Sequence, residues 1–252
     1  MAWYERATKM ELQPESDAQP AIRPTQVIFH SIVAGWTARR TYEYWRDSTS
    51  LESHFGIGYK ARDIAQYIGT ETRADANAGA NRRADGTGAI SVETASNSTA
   101  TDPWSAAQVE EMINLSVWAH KRHGIPLQIC RTHDDPGFGY HSMFRQWSTS
   151  GTACPGPTRI RQFREVIFPG IVARATEKEG DMTKEEHDAL MFLRRNLGRI
   201  GRVGPIDRQE FHAAGYYLAV GEGHAHSADL KLDEVMKRLA ALEAKIVAHI
   251  CR

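Results

Sequence analysis

The spacing of apolar residues alternates along the first two thirds of the chain between short runs, typical of strands, and a helical period of three to four residues. Helical spacing is clearest after residue 105, where Val109, Met112, Ile113 and Val117 recur on one face. Strands that alternate with helices favour an α/β layer architecture. The predicted strands are residues 26–29, 54–58, 64–68, 89–93 and 127–130, and the predicted helices are residues 37–45, residues 105–123 and a segment that begins at about 157.

Polar residues and glycines mark where these elements begin and end. Ser105 and Gln108 form a capping box that starts the long helix, and Gly124 stops it. Residues 70–88 contain glycine, asparagine, aspartate and arginine without a period, which predicts an exposed loop. The segment after the last predicted strand is interpreted as a second loop, which holds His141.

The pattern divides the chain into four parts. Residues 1–21 are a polar lead-in, residues 22–172 form the α/β domain, and residues 173–182 form a charged linker. Residues 183–252 are predicted to be a small helical C-terminal region. A heptad-like pattern within residues 230–250 leaves two alternatives open: a terminal helix that packs on its own domain, or a short coiled coil that forms a homo-oligomer. Its apolar positions are Leu232, Val235, Leu239, Leu242 and Ile246.

Composition limits the classes of function. The chain has 252 residues with 31 basic and 31 acidic side chains, and a formal net charge of zero provides no global attraction to nucleic acid or to an anionic membrane. No stretch reaches the ~18 apolar residues of a membrane span, and the N-terminus lacks the pattern of a signal peptide. Three cysteines are too few for a disulfide scaffold. We therefore expect a protein without membrane insertion that folds in a reducing cytoplasm.

Three residues suggest a metal site. His30 closes an apolar strand, His141 lies in Gly-Tyr-His-Ser, and Cys154 lies in Thr-Ala-Cys-Pro-Gly. Two imidazoles and a thiolate are ligands that Zn²⁺ prefers, and three protein ligands leave the fourth tetrahedral position open, as in catalytic zinc sites. A structural zinc finger has closely spaced ligand pairs, whereas these residues are far apart in sequence and meet only in a folded core.

Five segments in order carry a family resemblance, and the Thr-Ala-Cys-Pro-Gly segment is the most specific of them. Their order resembles the zinc-dependent N-acetylmuramoyl-L-alanine amidases of the peptidoglycan recognition protein superfamily, in particular endolysins of phages that infect actinobacteria. The resemblance covers about residues 22–172. It implies a central mixed β-sheet flanked by helices, peptidoglycan as the partner, and an enzyme that stays in the host cytoplasm until it is released to degrade the cell wall. The segments are Val-Ile-Phe-His30-Ser, Glu-Ser53-His54-Phe-Gly-Ile-Gly, Ala-Ile-Ser-Val-Glu93, Gly-Tyr-His141 and Thr152-Ala-Cys154-Pro-Gly.

The resemblance also implies roles for individual residues. Besides the three zinc ligands, Glu93 matches the glutamate that acts as general base and then as general acid. Thr152 matches a position that carries lysine or threonine and helps to hold the tetrahedral oxyanion. Ser53 departs from the tyrosine of some relatives, which moves the proton transfer onto Glu93, and His54 is interpreted as structural.

Two other functions remain open at this point. The first is a lysin of the cysteine peptidase type, with Cys154 as the nucleophile and His141 as the base. The second is a module that binds peptidoglycan without cleaving it.

The run His133-Asp134-Asp135 is interpreted as a solvated turn rather than a metal site, because adjacent loop residues rarely point the same way.

Overall fold

The computed structural model describes residues 2–48 and 52–176 of the chain. Contacts divide the chain into two units that part after Thr183, and the described residues lie in the first unit. The predicted helices beyond residue 182 and the heptad pattern at 230–250 lie outside the described residues. Within the described part, no helix is both long enough and apolar enough to cross a membrane.

Six strands form one mixed β-sheet. They are β1 (Thr8–Lys9), β2 (Arg23–Ser31), β3 (Phe55–Ile57), β4 (Ile64–Gln66), β5 (Thr87–Thr94) and β6 (Gly137–Tyr140). Their order in the sheet is β1-β4-β3-β5-β2-β6. All neighbouring strands are parallel except β3 and β4, which are antiparallel.

Helices flank this sheet, which confirms the predicted α/β fold. The capping box of Ser105 and Gln108 is present, and Gly124 ends the long helix in the left-handed conformation at φ 69°. Pro157 begins the next helix, a position where its missing N–H costs nothing. The helices are α1 (Glu15–Ala18), α2 (Ala38–Ser48), α3 (Ala106–His123), α4 (Pro157–Gln162) and α5 (Phe168–Thr176), and a π-helical turn at Phe163–Ile167 joins the last two.

The central strands β2 and β5 are buried on both faces. Val27, Ile28 and Phe29 are all inaccessible to solvent, as expected for a continuous apolar run in a parallel strand. Side chains alternate between the two faces, so Phe29 packs in the main core with α3, whereas Ile28 packs in a smaller core on the other face.

The register of β2 and β5 places pairs of polar residues side by side at the carboxyl ends of both strands. His30 lies opposite Glu93, and Ser31 lies opposite Thr94. Because alternate residues face opposite sides of a sheet, the first pair lies on the face of the smaller core and the second on the face of the main core.

Two predictions about the edge of the sheet that carries β6 were wrong. Residues 127–130 do not form a strand, since Ile129 makes only an isolated bridge to Phe138. The strand at that edge is β6, whose sequence Gly-Phe-Gly-Tyr suggested a loop. Its glycine at 139 has a packing reason, because a Cβ atom there would come within 2.7 Å of the Trp147 ring.

Residues 70–88 are not the predicted exposed loop throughout. Asn77, Ala80 and Asn81 are buried, and a 3₁₀ turn occupies Ala78–Ala80. Polar residues can be buried here because they bond within the structure: the Asn77 backbone N–H donates to Oδ1 of Asn81 at 2.6 Å.

Candidate metal centre

The carboxyl ends of three neighbouring parallel strands carry most of the candidate site. His30 and Glu93 each occupy the next-to-last position of their strand, β2 and β5, and His141 directly follows β6. Cys154 lies in the loop before α4. Residues that are distant in sequence meet at one edge of the sheet because parallel strands end on the same side.

His30, His141 and Cys154 form a compact group. One ligand atom from each residue lies within 4.8 Å of the others, and the imidazole ring centroids are 4.2 Å apart. Among the residues that the structure describes, this is the single group of three or more His, Cys, Asp and Glu side chains with such spacing.

His30 is almost completely buried, and its Nε2 lies 2.7 Å from Oδ1 of Asn77. An amide oxygen only accepts, so Nε2 carries the proton and donates it to Asn77, which leaves the Nδ1 lone pair free. Burial lowers the pKa of His30 well below its usual value, and the neighbouring His141 lowers it further. The ring is therefore neutral near pH 7.

His141 has the same arrangement. Its Nε2 lies 2.9 Å from the backbone oxygen of Trp147 and donates to it, so that Nδ1 is again the free nitrogen. Burial lowers the pKa of His141 as well. Both imidazoles thus present the unprotonated nitrogen that a metal ion requires.

The sulfur of Cys154 accepts a hydrogen bond from the Ser31 backbone N–H at 3.1 Å. Burial raises the pKa of the thiol well above its usual value, and Glu93 raises it further. An activated cysteine nucleophile needs the opposite, a lowered pKa, so the site does not favour the cysteine peptidase alternative.

The residues fit a zinc ion by their chemistry. The donors are two neutral nitrogens and one sulfur, and each histidine donates its other N–H to a carbonyl oxygen, which is the usual support of a metal-bound imidazole. Hydrogen-bond partners of this kind fix both the tautomer and the ring orientation.

Glu93 lies beside this group. Its Oε1 is 3.7 Å from Nδ1 of His30, and its Oε2 is buried without a hydrogen-bond partner in the described structure. Burial raises the pKa of Glu93 to about 8, so the carboxyl and the neutral imidazole are not an ion pair near pH 7.

The other predicted residues take different positions. Thr152 is exposed, and its hydroxyl oxygen accepts from the Cys154 backbone N–H at 3.1 Å. Ser53 is fully buried. His54 is also buried and donates from Nε2 to the Thr72 backbone oxygen at 2.9 Å, which agrees with its structural interpretation.

Sequence reasoning missed two supports of the site. Asn77 lies in the segment that was expected to be an exposed loop, and the Trp147 carbonyl belongs to the backbone, which no side-chain motif reports. The only available signal for the first was that Asn77 lies between two alanines, small apolar residues that are compatible with burial. The second had none.

The class of this domain follows from its family match. The family model described as N-acetylmuramoyl-L-alanine amidase (Amidase_2) matches residues 20–157, more than half of the chain. The chain belongs to this family, and membership supports a peptidoglycan amidase activity.

Several solved structures have a similar fold. The solution structure of the PlyG catalytic domain has a TM-score of 0.50 at 16% identity and covers 70% of this chain and 99% of that one. The structure of PlyL has a TM-score of 0.49 at 16% identity, with 68% and 97% covered. The N-acetylmuramoyl-L-alanine amidase LysC from Clostridium intestinale URNW has a TM-score of 0.45 at 15% identity, with 68% and 98% covered. A search of the curated proteins found no match.

Proposed function

We propose that this protein is a zinc-dependent N-acetylmuramoyl-L-alanine amidase that cleaves the amide bond between the lactyl carbonyl of N-acetylmuramic acid and L-alanine. His30, His141 and Cys154 would hold the zinc ion. The observation that carries the proposal is the convergence of these three donors within 4.8 Å. Both imidazoles are neutral, and each donates its Nε2 proton to a carbonyl oxygen.

When it is bound, zinc supplies Lewis-acid polarisation of the amide carbonyl and lowers the pKa of water toward ~7. The chain's own residues then have to move protons. Glu93, in the ionised fraction that grows as the pH rises toward its pKa of about 8, takes a proton from the attacking water at a carboxylate oxygen and returns it to the leaving nitrogen of L-alanine. Its buried, unpartnered Oε2 supports this role, because no other hydrogen bond competes for the proton.

Thr152 would donate a hydrogen bond to the oxyanion that develops on the carbonyl. Its hydroxyl oxygen already accepts from the Cys154 N–H, which orients the group and leaves its hydrogen available to the substrate. A neutral donor at this exposed position stabilises the charge less than a lysine would.

We further propose that the chain is an endolysin of a phage that infects actinobacteria. In this proposal it remains in the host cytoplasm until the membrane is opened, and then degrades the wall. The charge balance of the sequence supports recognition of peptidoglycan through local contacts.

Digestion of purified peptidoglycan with the zinc-loaded protein tests the reaction. Mass spectrometry should find free L-alanine amino termini on stem peptides and intact muramic acid on the glycan. Retention of the protein on peptidoglycan without new amino termini would support a binding module instead and refute the amidase.

Variants test the assigned residues. Cys154→Ser and His141→Ala should lose zinc and activity while the fold is retained, as judged by circular dichroism. Glu93→Gln should bind zinc at wild-type stoichiometry and lose turnover, by about 10²–10⁴-fold for a lost general base. Full activity in any of these variants would reject the role of the residue concerned.

A further inference from the structure

Arg159 is a fully buried cation beside the candidate metal centre. An arginine side chain has five N–H donors. All five are used, which is unusual for a residue that is normally exposed. The acceptors are the Asp102 backbone oxygen at 2.9 Å, Asp102 Oδ2 at 3.1 Å, the Ala95 backbone oxygen at 2.8 Å, Ser31 Oγ at 2.8 Å and Thr94 Oγ1 at 3.0 Å.

Two of these acceptors are chain neighbours of site residues. Ser31 follows His30 at the end of β2, and Thr94 follows Glu93 at the end of β5. One nitrogen of Arg159, Nη1, donates to both hydroxyl groups and so clamps the two strand ends together. Thr94 also donates to the His30 backbone oxygen.

Ser31 continues the network to the third ligand. Its backbone N–H donates to the sulfur of Cys154 at 3.1 Å, and its hydroxyl donates to the Pro155 backbone oxygen at 3.0 Å. Arg159 itself lies in α4, which follows the cysteine loop. One side chain therefore connects the segments that carry His30, Glu93 and Cys154.

The guanidinium group is held in a single orientation. Asp102 accepts two of its hydrogen bonds and also accepts one from the Tyr59 hydroxyl at 2.6 Å. The Trp104 ring packs against the cation, with 5.4 Å between the guanidinium carbon and the ring centroid. A planar guanidinium group fixed in this way holds its hydrogen-bond partners in place more precisely than a flexible lysine would.

We propose that Arg159 is a positioning residue, which sets the separation of the Cys154 sulfur from His30 and Glu93 by clamping Ser31 and Thr94. None of its five hydrogen bonds goes to His30, His141 or Cys154. This inference rests on the proposed zinc function, and it predicts that the affinity for zinc depends on a side chain that is not a ligand.

The test compares Arg159→Met and Arg159→Lys with the wild-type protein. Competition with a chromogenic chelator should give a zinc affinity about 10- to 100-fold weaker in the Met variant, the range for lost outer-shell hydrogen bonds. The cobalt-substituted Met variant should also have an altered thiolate-to-cobalt charge-transfer band. Lysine keeps the charge but not the fork, so it should restore the fold better than the metal affinity.

Arg174→Met is the matched control. Arg174 also bonds a carboxylate, Glu110, at 2.8 Å, but its hydrogen bonds go to Glu110 and Asn114, neither of which belongs to the site. Its zinc affinity and cobalt spectrum should equal those of the wild type. Equal values in a folded Arg159→Met variant would overturn the proposal.

Ser31→Ala keeps the test decisive where the Met variant does not fold. It removes only the hydroxyl through which Arg159 reaches the cysteine loop, so it should weaken zinc binding and should shift the cobalt band. Wild-type behaviour of Ser31→Ala would overturn the clamp. Wild-type protein that binds no zinc would refute the proposed function together with this inference, whereas an active wild type with unaffected variants would refute the inference alone.

Discussion

Replacement of Asn77 by alanine tests whether the support behind His30 matters. The Asn77 side chain is fully buried, and its Oδ1 accepts the His30 Nε2 proton at 2.7 Å. Alanine leaves that buried N–H without an acceptor, which should destabilise the metal-free protein by about 1–3 kcal/mol. The same change frees the imidazole to rotate or to change tautomer, so zinc should bind about 10- to 100-fold more weakly.

Denaturant unfolding of the metal-free protein measures the first quantity, and chelator competition measures the second. Asn77→Asp is the informative companion, because a carboxylate still accepts the His30 proton, and the Asn77 amide nitrogen has no hydrogen-bond partner to lose in the described structure. It should retain most of the zinc affinity. Asn97→Ala, in an exposed loop, is the control for the loss of an amide and should leave zinc binding unchanged.

Wild-type zinc affinity in a folded Asn77→Ala variant would refute this reasoning. So would an equal loss in the alanine and aspartate variants, because the acceptor itself would then not be the cause.

Three further predictions concern stability. Burial lowers the pKa of His54 to about 4, below the ~6.5 of a histidine in an unfolded chain. As the pH falls, the unfolded state therefore binds the extra proton first, and the stabilisation present above pH ~6.5 is lost as the pH falls through about 4. The free energy of unfolding of the metal-free wild type should fall across this pH range by up to about 3 kcal/mol more than that of His54→Gln. Parallel curves of unfolding free energy against pH would contradict the assignment. Gly156→Ala should cost about 1–3 kcal/mol of stability and weaken zinc binding, because φ is 98° and a Cβ atom would collide with the Ala100 backbone oxygen. Gly151→Ala is the control for the collision, because its φ of 84° imposes similar backbone strain but a Cβ atom there meets open space; equal losses in the two variants would contradict the steric argument. Chelation should lower the melting temperature, since zinc at 100 times its Kd contributes about 2.7 kcal/mol, and an unchanged melting temperature would contradict a bound ion.

The sequence predicted the parts of the fold that depend on local pattern. The continuous apolar run before His30 indicated a buried strand, and the capping box with Gly124 indicated the limits of α3. Strand β6 was not predicted because glycine alternates with aromatic residues there. Only the close approach of Gly139 to the Trp147 ring explains the glycine at that position.

The candidate site divides in a similar way. The two histidines and the cysteine have distinctive chemistry, and together with the order of the segments around them they suggested a common ion. Asn77 and Arg159 have ordinary chemistry, and their importance comes from partners that lie far away along the chain. No local periodicity encodes which hydroxyl group or ring nitrogen a buried amide or guanidinium group will meet.

The pairing of His30 with Glu93 across β2 and β5 has a consequence for how such an enzyme can change. The distance between the proposed ligand and the proposed proton carrier is the spacing of adjacent strands, about 4.8 Å between backbones, and is thus set by the hydrogen bonding between the strands. Loops around this edge can lengthen, shorten or exchange residues and so alter which wall polymer is accepted, while the spacing on which the chemistry depends stays the same.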